Sequence, residues 1–131
     1  MRRKVNVKIT GFQRSVTDEP TVTEAEGTLQ SDGSQHYLRY TDADGIRTMI
    51  KMKSGHVSVT RSGALSSVME FIEGDATECV YPTPYGHFDT RIETKTITLS
   101  AEGEPFSALI TYDLTMNGQS IKDCELHISV K

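Results

Sequence analysis

Arg61 is the residue whose type and position say most about chemistry. Val57 and Val59 precede it at a spacing of two, so in an extended segment all three side chains share one face. That face is the apolar one, and it carries Arg61 inward at the end of its strand. A guanidinium facing inward must find acceptors, because an unpaired charge is expensive to desolvate. Two readings follow. Arg61 is either a structural arginine bonded to turn carbonyls, or an anion anchor that grips a carboxylate or phosphate through its two-pronged donor edge.

Other residues with polar chemistry share a face with apolar neighbours. In the run 87–100, Phe88, Thr90, Ile92, Thr94 and Thr96 alternate with charged His87, Asp89, Arg91, Glu93 and Lys95. If the first set faces inward, threonine hydroxyls make part of an interior polar, as a cavity for water or a polar ligand requires. Tyr112 stands among Ile110 and Leu114 in the same way. The segment Pro82-Thr83-Pro84-Tyr85-Gly86 is stiffened by two prolines and presents Tyr81, Thr83 and Tyr85 at a rim, or else packs its tyrosines over the core. The candidate ligand-binding set is therefore Arg61, Thr83, Tyr85, Thr90, Thr94 and Tyr112. Glu70 falls on the face opposite Phe71, so it is expected outside and not paired with Arg61.

Motifs for nucleophilic, phosphate-binding, dinucleotide-binding or zinc-dependent chemistry are absent from the sequence. His87 and Asp89 have a spacing open to two metal ligands, but His36, His56 and His127 do not extend it. Cys79 and Cys124 lie far apart, so neither a metal site nor a disulfide framework is expected. No catalytic residue and no cofactor is assigned.

The elements that must hold these residues are strands. Period-two alternation runs through nearly the whole chain, and no 3.6-residue periodicity competes with it. Strands are expected at 3–13, 20–30, 34–42, 46–53, 56–61, 65–72, 76–82, 87–100, 106–116 and 120–130. Turn signals separate them, the clearest being Asn117-Gly118, where a type I′ hairpin needs positive φ at both central residues. Gly27 is read as a bend or bulge. Apolar parity switches between Thr96 and Ile97, which predicts a bulge near Thr96. About 8–10 strands joined by tight hairpins would expose long edges as an open sheet, so the fold class is all-β, a single antiparallel up-and-down β-barrel over residues 1–131.

Composition bounds the rest. The 131 residues are 36% hydrophobic and 24% charged, with a net charge of −4 and a pI near 5.5. The short basic run Arg2-Arg3-Lys4 does not make a counterion-displacing footprint, so nucleic acid is not an expected partner. No apolar run reaches the ~20 residues of a membrane span, and no signal-peptide core follows the basic start. A cytoplasmic location is expected.

The order Arg61-Ser62-Gly63-Ala64, Phe71, Gly74, Tyr81, Tyr85-Gly86 and Thr94-Lys95-Thr96-Ile97 resembles the YwiB-like family, bacterial proteins with a calycin-type, lipocalin-like barrel. The resemblance implies that barrel, and by fold analogy a ligand-binding role; it brings no catalytic site. The leading expectation is a non-enzymatic binder of a small, anionic or amphiphilic molecule in the lumen or mouth. A module that docks a protein partner on a side-chain-filled barrel, with Met49, Val80 and Leu109 as outward apolar candidates, is the alternative. An enzyme with a scattered site ranks last.

Overall fold

The computed structural model describes residues 2–63, 66–100 and 106–131, with the Thr83 side chain excepted. The expected turn at Glu102–Pro105 and residues Ala64 and Leu65 lie outside the described residues. Ten strands follow one another: β1 (Arg2–Gln13), β2 (Thr21–Asp32), β3 (Gln35–Thr41), β4 (Arg47–Lys53), β5 (His56–Ser62), β6 (Ser67–Ile72), β7 (Ala76–Thr83), β8 (Gly86–Ser100), β9 (Phe106–Met116) and β10 (Gln119–Val130). Each boundary falls within two residues of the alternation-based expectation.

All ten join one antiparallel sheet in the order β6-β5-β4-β3-β2-β1-β10-β9-β8-β7. Every neighbour in space except β1–β10 is a neighbour in sequence, which is an up-and-down meander rolled into a nearly closed barrel. The β1–β10 ladder runs from Val7 opposite Val130 to Gln13 opposite Cys124. The remaining join, between β6 and β7, is not a ladder. These two strands touch near the turn that links them, where Thr77 Oγ1 donates to the Glu70 carbonyl.

The inner surface is the apolar face of each strand, and it is filled. Leu38, Ile50, Met52, Phe71, Ile110 and Ile128 are 0–2% exposed. Burying side chains of this size supplies roughly 1.5–3 kcal/mol each, the main force rolling the sheet up.

Local chemistry bends the wall. Asn117 and Gly118 take φ of 48° and 81°, as a type I′ turn demands. A bulge falls between Thr94 and Thr96 on β8, where it is expected, and a second between Ile121 and Cys124 on β10. They flank Tyr112 on β9, the β8 bulge between Tyr112 and Thr111 and the β10 bulge between Tyr112 and Leu114, so the wall turns there on both sides. The β8 bulge leaves backbone groups that the β6–β7 turn satisfies. The Gly74 amide donates to the Thr94 carbonyl, the Thr94 amide to the Asp75 carbonyl, and the Ile97 amide to Glu73 Oε2 at 2.8 Å.

Two expectations need correction. Thr96 is not inside: the bulge turns it outward, where its hydroxyl lies 2.6 Å from that of Thr111. Of the two readings of Gly27, the bulge is the one that falls, since its register is regular on both sides, opposite Val5 and Tyr40. Its role is close approach. A Cβ built there would sit 2.3 Å from the Arg39 carbonyl oxygen.

Candidate functional site

Two hairpin registers place the polar end of the barrel. The Ser54-Gly55 turn sets Lys53 opposite His56, and counting outward puts Thr48 opposite Arg61. The Asp42–Ile46 turn, closed by Asp42 Oδ1 accepting from the Asp44 and Ile46 amides, puts Tyr40 opposite Thr48. Tyr40, Thr48 and Arg61 thus form one row across β3, β4 and β5, one step beyond the apolar row of Leu38, Ile50 and Val59. Tyr40 and Thr48 were not singled out from sequence, although the two turn lengths contain the signal.

Arg61 is half-buried at this end, facing inward as its parity requires. Its Nη1 donates to the Tyr81 hydroxyl at 3.3 Å. Among the described residues no carboxylate pairs with it. Glu70 instead lies outside, 3.9 Å from His56 Nε2. The guanidinium is felt by two further phenols. Burial raises the pKa of Tyr40, and a hydrogen bond with Thr48 and the positive charge of Arg61 work against that rise. Burial pushes Tyr112 up strongly, again with Arg61 opposing. The phenols place neutral hydroxyls near the cation rather than a counter-charge.

The other expected residues divide. Tyr112 is 8% exposed, and its ring meets Phe71 edge-on with centroids 5.0 Å apart. Thr90 and Thr94 are each 4% exposed and face inward from β8. The Thr90 hydroxyl is spent on the Phe88 carbonyl. The Thr94 hydroxyl, opposite Tyr112 in the register, is buried without a hydrogen-bond partner in the described protein. Tyr85 stands in the β7–β8 turn at 95% exposure, well out from the buried row. The Thr83 side chain lies outside what is described.

The thiols do not extend this chemistry. Burial pushes Cys124 up to about 11, and Cys79 is also raised by burial. Both favour the unreactive neutral thiol. Among the described residues no group of three metal-ligating side chains converges, and no helix is long and apolar enough to cross a membrane. The lumen is filled, and among the described residues a groove of about 690 Å³ lies outside it, over the outer face of β2–β5, lined in part by Arg39 and Arg47.

Comparison with known proteins returns the same architecture. The model of a family described as a domain of unknown function, DUF1934, matches residues 5–128. The uncharacterized β-barrel protein YwiB of Bacillus subtilis (strain 168) is 30% identical over 78 residues, 60% of this chain and 55% of that protein. The match thus spans about half the length of that curated relative. The crystal structure of the ywiB protein from Bacillus subtilis aligns with a TM-score of 0.75 at 24% identity, covering 99% of this chain and 90% of that one. At that identity the likeness speaks for the fold.

Proposed function

The chain belongs to the DUF1934 family of β-barrel proteins, and from that premise we propose that it binds a small anionic molecule at the Arg61 mouth of the barrel, without catalysis. One observation carries the reading: a half-buried guanidinium whose polar partner is a tyrosine hydroxyl, with no carboxylate paired to it among the described residues. A structural arginine of this burial ordinarily neutralises itself on Asp or Glu. Arg61 is set among Tyr40, Tyr81 and Tyr112 instead, a lining that can donate to an oxyanion but cannot compete with it for charge. Thr90 and Thr94 carry the polar lining along β8. A lumen packed with apolar side chains supports a position at the mouth over one in the interior.

The test pairs ligand titration with stability. Short carboxylates and phosphate monoesters are screened by thermal shift against the wild-type protein, Arg61→Ala and Arg61→Lys. The expected result is a rise in melting temperature for wild type, lost in Arg61→Ala and reduced in Arg61→Lys, which keeps the charge but not the fork. If no anion stabilises the wild type, or if Arg61→Ala simply melts lower while binding persists, the arginine is structural and the proposal fails.

The filled lumen also favours a second reading, an interaction module whose outer wall docks a partner. Val80 remains a candidate at 54% exposure, with Val68 at 50% on the other side of the β6–β7 break; Met49 and Leu109 are partly covered. A cytoplasmic setting suits either reading, since neither thiol is paired.

A further inference from the structure

Charge is unevenly spread around this barrel. Residues 1–62 carry ten Lys and Arg against seven Asp and Glu, whereas residues 63–131 carry four against eleven. β1 carries Arg2, Arg3, Lys4 and Lys8 without an acid, and a second basic stretch spreads over three adjacent strands. β3, β4 and β5 contain no Asp or Glu at all. Outward parity on β3 and β4 exposes Arg39, Arg47, Lys51 and Lys53 on one wall. Among the described residues neither Arg39 nor Arg47 is in an ion pair. Both line the external groove of about 690 Å³, with hydroxyls of Thr28, Thr41 and Thr60 around them and Glu26 at its β2 side.

We infer that this wall is a docking surface for an extended acidic segment of a partner protein, separate from the Arg61 mouth. The spacing supports it. Along β4 the exposed cations at 47, 51 and 53 lie roughly 13 Å and 7 Å apart, at ~3.4 Å per residue. An extended chain with a carboxylate at every second residue presents acids on one face every ~7 Å, in step with that row. Guanidiniums with free donor edges grip such carboxylates in two-pronged pairs, and neighbouring hydroxyls serve the peptide backbone.

The surroundings argue against other polyanions. Single-stranded nucleic acid needs a row of exposed stacking platforms, and the aromatic ring on the outer face of β3 and β4 is Tyr37 alone among the described residues, half-buried with Lys51 Nζ 5.8 Å from its centroid. Residues 63–131, with four Lys and Arg against eleven Asp and Glu, make that side of the barrel acidic, which disfavours a long phosphate backbone more than a short segment. Of the exposed large apolar side chains that a lipid surface would need, Val16, Val22 and Val80 lie off this wall, and Val68, opposite Thr60, stands singly at its β6 side.

The experiment is fluorescence anisotropy of a labelled peptide of about eight alternating Glu and Ser residues, matched to the length of β4. It is run with wild type, Arg39→Glu/Arg47→Glu, and the charge-matched control Lys8→Glu/Lys122→Glu, whose exposed side chains stand on β1 and β10. Binding by the wild type should weaken by roughly tenfold or more in the Arg39/Arg47 variant, change by less than about threefold in the control, and fall with added salt. Equal loss in both variants, tighter binding of an equally charged oligothymidylate, or no binding by the wild type overturns the inference. So does salt-sensitive self-association in sedimentation that Arg39→Glu/Arg47→Glu abolishes, since the wall's occupant would then be a second copy of this chain.

Discussion

Arg61 on β5 and Tyr81 on β7 are joined by a 3.3 Å hydrogen bond that skips β6 entirely. It spans the place where the hydrogen-bonded wall is interrupted, so with the Thr77–Glu70 bond near the turn, side-chain contacts do there what a backbone ladder does elsewhere. Removing the hydroxyl with Tyr81→Phe should cost about 1 kcal/mol in urea unfolding, the ordinary net worth of such a bond. It should also speed amide exchange in β6 and β7 while leaving β1 and β10 protected. Uniform exchange changes would show that the contact does not hold the break.

Gly27 should refuse alanine. Its Cβ would collide with the Arg39 carbonyl, backbone against backbone, so Gly27→Ala is expected to destabilise by about 2 kcal/mol or more. Gly11 offers the contrast, because nothing lies within 4 Å of the point a Cβ would occupy there. Gly11→Ala should be neutral or gain about 0.5 kcal/mol by restricting the unfolded chain. Equilibrium unfolding of the two variants side by side checks both signs.

Thr94 reverses the usual expectation for a buried threonine. Its hydroxyl is desolvated without a bond in return. Thr94→Val keeps the shape and should raise stability by about 1 kcal/mol, where Thr90→Val should lower it by losing a bond to Phe88. A fall in stability for Thr94→Val would mean that the hydroxyl is satisfied in solution.

On the outer face, Arg14 and His127 hydrogen-bond the Glu125 carboxyl and hold its pKa below the usual carboxylate range. A depressed folded pKa means a contribution present above the unfolded value and lost as pH falls through the folded one. Melting curves of wild type and Glu125→Gln should therefore differ near pH 6 and converge toward about pH 3. The difference should shrink in high salt, since the Arg14 and His127 side chains that pair with the half-buried Glu125 are exposed.

Much of this arrangement is legible in the residues themselves. Alternation and turn chemistry locate all ten strands, and parity alone carries Arg61 inward and Glu70 outward. The parity switch after Thr96 reveals the β8 bulge, yet not which side of it Thr96 takes, because that depends on where the extra residue is inserted. The β6–β7 break is silent in sequence: its turn, Glu73-Gly74-Asp75, reads like any other hairpin. What prevents pairing is tertiary, the capture of that turn by the backbone groups that the bulge frees on β8. Gly27 is likewise ambiguous, since a bulge and a close approach both call for the same missing side chain.

The break between β6 and β7 has a bearing on aggregation. It leaves two strand edges in a protein whose other edges are all consumed, and an open edge is a template for foreign strands. Here β6 is only six residues long and carries Glu70 near its middle, while β7 carries Glu78 and ends toward Pro82, which has no amide hydrogen to donate. Short length, fixed charge and a missing donor each blunt an edge. The incomplete wall is thus tolerable because those few residues make its margins poor substrates for fibril growth.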